Sequence, residues 1–137
     1  MSDKPMKGSC LCRGVTFEIT PPILFFQYCH CSRCRKATGT AHATNLFIKA
    51  AQLTWTAGED LVRRREMPEA KYYCTGWCDT CGSSLPWASR NGKYFLVPAG
   101  AMDDELEGKP TRNIYWASRG DWYVAPEDLE KHDEDPH

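Results

Sequence analysis

Three short stretches hold the residues able to do chemistry: Gly8-Ser9-Cys10-Leu11-Cys12-Arg13-Gly14, Tyr28-Cys29-His30-Cys31-Ser32-Arg33-Cys34-Arg35-Lys36 and Trp77-Cys78-Asp79-Thr80-Cys81-Gly82-Ser83. A Cys-x-x-Cys turn presents two sulfurs to one ion, and Zn²⁺ takes four such donors in a tetrahedron at about 2.3 Å. Gly82, just after the second cysteine of its turn, allows backbone amides to face the sulfurs without a Cβ clash. Cys78 and Cys81 need two further thiolates. Cys10 and Cys12 can supply them, because residues two apart on extended chain share a face. These four predict a closed, structural zinc site, part of whose binding free energy becomes folding free energy.

Cys29, Cys31 and Cys34 are then left over. Three protein ligands plus an open position is the usual construction of a catalytic zinc. The open position takes water or a substrate thiol, which the metal deprotonates. Three thiolates and one Zn²⁺ sum to a negative charge, which Arg33, Arg35 and Lys36 can offset locally; the same cations can meet substrate carboxylates. Closure of this second site by Cys74, His30 or His42 is the alternative, and it would make the chain a binding module with two structural zincs. His30 sits between two ligands and should point away from both, toward a hydrogen bond that orients them. Cys74 reads either as a buried small hydrophobe or as a redox nucleophile, which would need exposure and a lowered pKa. His42 is a candidate proton carrier, and Arg119 a candidate carboxylate anchor. Trp55, Trp77, Trp87, Trp116 and Trp122 read mostly as core, with Tyr115 or Tyr123 able to wall a cleft.

The elements that must hold these residues are short. The chain has 137 residues, with 10 glycines and 9 prolines spread through it, which suits one all-β domain with a real core. Strands are predicted over 15–19, 23–28, 43–48, 53–56, 61–67, 71–77, 93–97 and 113–117, in two packed sheets. One short helix after Cys31 covers 33–38, capped by Ser32 and stopped by Gly39. Arg63-Arg64-Arg65 reads as a solvated edge. Residues 1–7 read as a flexible tail, 8–126 as a single zinc-binding β domain and 127–137 as an acidic tail. The net charge is -1, and the body outside that tail is too weakly basic for a nucleic-acid partner. No stretch suits a membrane span or a secretory leader. A cytoplasmic location is therefore expected, where the 8 cysteines act as metal ligands rather than disulfides.

The order of the motifs resembles the glutathione-dependent formaldehyde-activating family, whose zinc domain is of the centromere-protein-V type. The motifs are Gly-Ser-Cys-x-Cys at Gly8, Cys-His-Cys-x-x-Cys-Arg-Lys at Cys29, Cys-x-x-Cys-Gly-Ser-x-Leu at Cys78 and Ser-Arg-Gly-Asp-Trp-Tyr at Ser118. The resemblance implies a β-tent of packed antiparallel sheets held by zinc. It implies one Zn²⁺ on Cys10, Cys12, Cys78 and Cys81 and a second, working Zn²⁺ on Cys29, Cys31 and Cys34. It implies a carbon–sulfur lyase that joins glutathione, its small-molecule thiol partner, to formaldehyde as S-(hydroxymethyl)glutathione. The chain departs from the family where Asn113-Ile114 replaces a common His-Ile, where His42 replaces an apolar or aromatic residue, and in having Cys74.

Overall fold

The computed structural model describes residues 3–136. Among them are ten strands and one α-helix, in three sheets rather than the expected two. The first sheet joins β1 (Met6–Ser9), β2 (Thr16–Ile19) and β5 (Leu53–Ala57) in antiparallel order β1-β2-β5. The second contains β3 (Phe25–Cys29), β4 (Ala43–Lys49), β8 (Trp87–Ala88), β9 (Tyr94–Pro98) and β10 (Arg112–Ile114), in the order β10-β3-β4-β9-β8. The third is the pair β6 (Val62–Glu66) and β7 (Cys74–Cys78).

Period-2 alternation explains where the core lies. Phe17 and Ile19 of β2, Leu46 and Ile48 of β4 and Val97 of β9 are fully buried, together with Val15 and Leu85. Side chains of one strand face alternate sides, so β4 uses Leu46 and Ile48 for this core and turns Ala43, Asn45 and Phe47 the other way. β3 pairs beside it with Cys29 opposite Ala43 and Gln27 opposite Asn45. The second sheet is therefore two-sided: one face closes the core, the other supports Cys29.

Several expectations are corrected. Met6 and Lys7 are not tail: they pair with Ile19 and Glu18 in β1, and Met6 is buried in the core. The helix, α1 (Ser32–Thr38), is capped by the Cys31 sulfur, which accepts from the Cys34 amide at 3.3 Å; Ser32 is its first residue. Gly39 does stop it, in the left-handed conformation with φ 66°. β10 stops at Ile114 because Tyr115 turns left-handed, φ 54°, into a 3-10 turn. It also runs parallel to β3, whereas every other strand pair in the three sheets is antiparallel. Arg63 meets Asp79 at 3.2 Å on an exposed edge, a pair of little energetic weight. The acidic residues Glu127–Asp135 are exposed, with Glu127 and Asp128 in a 3-10 turn.

Gly8 sits where β1 closes on the Phe17 ring of β2 and on the backbone at Ala101. A Cβ there would lie within the van der Waals envelope of the Phe17 ring and 2.9 Å from the Ala101 carbonyl oxygen. Gly8→Ala should therefore cost about 1–3 kcal/mol by overpacking. Gly39→Ala, whose added Cβ meets nothing within 4 Å, should cost only the left-handed backbone penalty of about 1–2 kcal/mol. Denaturant unfolding of both variants checks this; a Gly8→Ala protein as stable as the parent would contradict the packing described.

Candidate active site

The two sheet ends deliver the first sulfur cluster. β1 runs out at Ser9, and a tight turn follows in which the Arg13 amide donates to the Cys10 carbonyl at 3.0 Å and Arg13 takes φ 62°. β7 ends at Cys78, and the Gly82 amide closes the second turn on the Cys78 carbonyl at 2.8 Å. Gly82 is left-handed, φ 75°, as the turn requires. The sulfurs of Cys10, Cys12, Cys78 and Cys81 all lie within 4.8 Å of one another. Four sulfurs about 2.3 Å from one ion in a tetrahedron would lie about 3.8 Å apart. Cys10 and Cys12 are 3.5 Å apart, and Cys12 and Cys78 are 3.9 Å apart, so this donor set fits a single metal ion.

Ser83 braces the cluster. Its Oγ accepts from the Leu11 amide at 3.0 Å and sits 3.1 Å from the Cys81 sulfur. The Ser83 hydroxyl, with the Ser83 and Cys12 amides, brings the Cys81 thiol down to about 5. Cys12 goes the other way. The Gly14 amide favours its thiolate, but the Cys10 sulfur, burial and the other two sulfurs outweigh this and push it up to about 11.

The second cluster forms where β3 meets α1. Cys29 ends the strand, Cys31 caps the helix and Cys34 is buried in the first turn. Their three sulfurs also lie within 4.8 Å of one another, so they too could hold a metal ion. Hydrogen bonding from Cys34 brings the Cys29 thiol down to about 6, and the same partnership with burial drives Cys34 far up. No fourth cysteine or histidine joins them among the described residues. All three instead line a cleft of about 780 Å³, with Gln27, Asn45, Arg33, Lys71, Tyr73 and Trp87 among its other walls. Burial first, then the charge of Cys34 and Cys31, raise the Tyr73 phenol, which therefore stays protonated and able to donate.

The three rivals for a fourth ligand are placed elsewhere. His30 is fully buried and turned away from the cluster: its Nε2 lies 2.9 Å from Asn113 Oδ1 and its amide donates to the Ile114 carbonyl. The edges of Trp116 and Tyr123 pack on its ring. His42 stacks on Tyr28 at 4.1 Å, and its Nδ1 lies 3.2 Å from the Ala43 carbonyl oxygen; burial lowers its pKa. Cys74 is fully buried at the far end of β7, and burial raises its thiol. The redox reading needed the reverse on both counts and is withdrawn. Arg119 lies over the Trp116 ring at 4.3 Å and donates to the Trp116 carbonyl. Of the three cations in the middle motif, only Arg33 is a cleft wall.

Gln27, Asn45, Lys71 and Tyr73 are cleft residues that sequence reasoning passed over. A signal existed for two of them. Gln27 interrupts the apolar run of 23–28, and Asn45 that of 43–48. A polar residue on the inward period of a strand needs a partner or a ligand.

Fold and site together define a mainly β domain with two cysteine clusters able to bind metal, one of them opening on a cleft. The family model for "Glutathione-dependent formaldehyde-activating enzyme" matches residues 5–118, and the chain belongs to that family. A protein of Halomonas elongata named "Putative glutathione-dependent formaldehyde-activating enzyme" is 29% identical over 127 residues, covering 85% of this chain and 78% of the relative. A crystal structure of a Rhodobacter sphaeroides protein shares the fold, with a TM-score of 0.62 at 20% identity over 79% of this chain and 99% of that one.

The placement of Cys74 predicts its chemistry. Iodoacetamide applied to the folded, metal-loaded protein should leave Cys74 unmodified, since burial keeps it a protonated, inaccessible thiol. Peptide mapping reads the result, and labelling at the rate of a free thiol would contradict the assignment.

Proposed function

We propose that the chain is a zinc-dependent carbon–sulfur lyase that adds a small thiol, glutathione or a close analogue, to formaldehyde or a related aldehyde. The single observation that supports this most is the three-sulfur cluster on the wall of a cleft of about 780 Å³, with no fourth cysteine, histidine or carboxylate beside it among the described residues. Cys10, Cys12, Cys78 and Cys81 would hold one Zn²⁺ that ties the first and third sheets together, and Cys29, Cys31 and Cys34 the other. When bound there, Zn²⁺ supplies a vacant position for a thiol sulfur and lowers the pKa of that thiol toward neutrality.

The protein's own groups supply the rest. Arg33 and Lys71 line the cleft and would pair with carboxylates of an anionic thiol, which a charge-assisted contact favours over a neutral one. Arg33 also offsets the negative charge of three thiolates. Tyr73, kept protonated beside the sulfurs, would donate a hydrogen bond to them or to the incoming sulfur. Trp87 and Tyr94 line the same cleft and would exclude water from the reacting carbon. A soluble small-molecule partner, no nucleic acid and a cytoplasmic setting belong to this reading. Among the described residues no helix is long and apolar enough to cross a membrane. The closed-module alternative would need a fourth donor, and His30, His42 and Cys74 each point elsewhere.

Titration of the zinc-loaded protein with glutathione by calorimetry tests the proposal. One equivalent should bind saturably with release of a proton at neutral pH, and Cys31→Ser should abolish the heat. Absence of saturable binding to the fully loaded parent protein would overturn the enzyme reading in favour of a closed module.

A further inference from the structure

A polar pair, Gln27 and Asn45, lines the cleft and has no part in the proposed zinc chemistry. Gln27 and Asn45 face each other across the β3–β4 register, two cross-strand pairs along from Cys29 and Ala43 and on the same face. Each is only 9% exposed, and both line the cleft that holds the three sulfurs. Two strand residues span about 7 Å, so the pair lies within one small molecule's length of Cys29.

Arg112 fixes the orientation of Gln27. Its Nε donates to Gln27 Oε1 at 2.8 Å. A guanidinium has donors only, so it claims the amide oxygen and leaves the Gln27 Nε2–H₂ as the available end. Among the described residues, no hydrogen bond takes up that group or either end of the Asn45 amide. Neither amide is among the buried side-chain atoms that lack a partner, so these ends open on the cleft, where a ligand can reach them. Two such groups side by side, one reduced to a donor, complement an acceptor oxygen delivered by a ligand.

We propose that Gln27 and Asn45 form an oxyanion-binding pair that receives the aldehyde oxygen as the carbon–sulfur bond forms. This rests on the three-sulfur site acting as proposed above. The sulfur lone pair of the deprotonated thiol forms the new bond to the aldehyde carbon, and the C=O π pair moves onto oxygen. The thiol's proton has left to solvent, and the alkoxide takes one back from water, so the addition needs no oxidant or reductant. Negative charge develops on one atom, the oxygen. Fixed N–H donors in a dry site stabilise that charge most when they are oriented beforehand, as Arg112 orients Gln27.

Two variants test the pair. Gln27→Met removes the N–H donors, keeps the side-chain length and adds no charge. Asn45→Leu keeps the branched shape and adds no charge. Metal content and the unfolding midpoint establish that each is folded and loaded. Each variant should lower kcat about a hundredfold and leave the calorimetric affinity for glutathione unchanged. In ¹H–¹⁵N spectra of the parent protein, the side-chain amide signals of Gln27 and Asn45, assigned by their loss in the variants, should move when formaldehyde joins glutathione and stay put with glutathione alone. Loss of glutathione affinity with kcat intact would overturn the proposal and make the pair a reader of the thiol's own peptide carbonyl. Intact glutathione binding with kcat unchanged and signals unmoved would overturn it outright. A parent protein that binds no glutathione would instead sink the underlying site reading, and this proposal with it.

Discussion

Seven thiol sulfurs gathered into two clusters, each with its sulfurs within 4.8 Å of one another, are the constraint that the rest of this fold answers. Thiols are weak hydrogen-bonding groups, and neighbouring thiolates repel. Each cluster therefore splits its acidities. Cys81 is brought down to about 5 while Cys12 rises to about 11, and Cys29 is brought down to about 6 while Cys34 rises. By themselves, such sets resist carrying all of their three or four charges at once. A divalent cation removes that resistance, because every sulfur is then a ligand rather than a rival. Under the proposed zinc loading, part of the folding free energy would come from the ions, which suits a protein whose strands run from two to seven residues.

The two clusters differ because of where the strands end. β1 and β7 belong to different sheets, and their ends converge so that two turns face each other and give four donors. β3 runs instead into α1, and one local turn provides all three sulfurs. The helix spends the Cys31 sulfur as its own cap, which holds that sulfur against the Cys34 amide. What stands opposite is a cleft wall rather than another turn. The parallel strand β10 braces this arrangement from behind: the His30 amide and ring are both held by β10 residues. β4 supplies the other half of the geometry, with Leu46 and Ile48 in the core and Asn45 and Phe47 in the cleft. A slip of one residue would exchange those faces.

Much of this was legible in advance, for physical reasons. Ligand spacing is a short-range property, so Cys10, Cys12, Cys78 and Cys81 could be grouped from sequence, and the structure brings those four together. Period-2 runs located β2, β4, β5 and β9 to within a residue or two. The missed strand pairings share one cause, which is that pairing between distant strands is set by tertiary contacts. Nothing local in Met6-Lys7 announces a strand; β2 makes it one. Nothing local in Arg112–Ile114 announces a parallel partner. Ser32 is the better intrinsic helix cap, yet the Cys31 sulfur takes that place because it already sits one residue ahead of the helix. Lys71 and Tyr73 were missed because the strand expected over 71–77 begins only at Cys74, and the loop ahead of it is placed by tertiary contacts.

The account stands on one inequality: a four-sulfur clasp that is complete and a three-sulfur clasp with room for a ligand. X-ray absorption at the zinc edge measures it directly on the fully loaded protein, before and after saturation with glutathione. The account predicts an average of about 3.5 sulfurs per zinc rising to about 4 when the thiol binds. An average already at four without the thiol, or one that glutathione leaves unchanged, would contradict it.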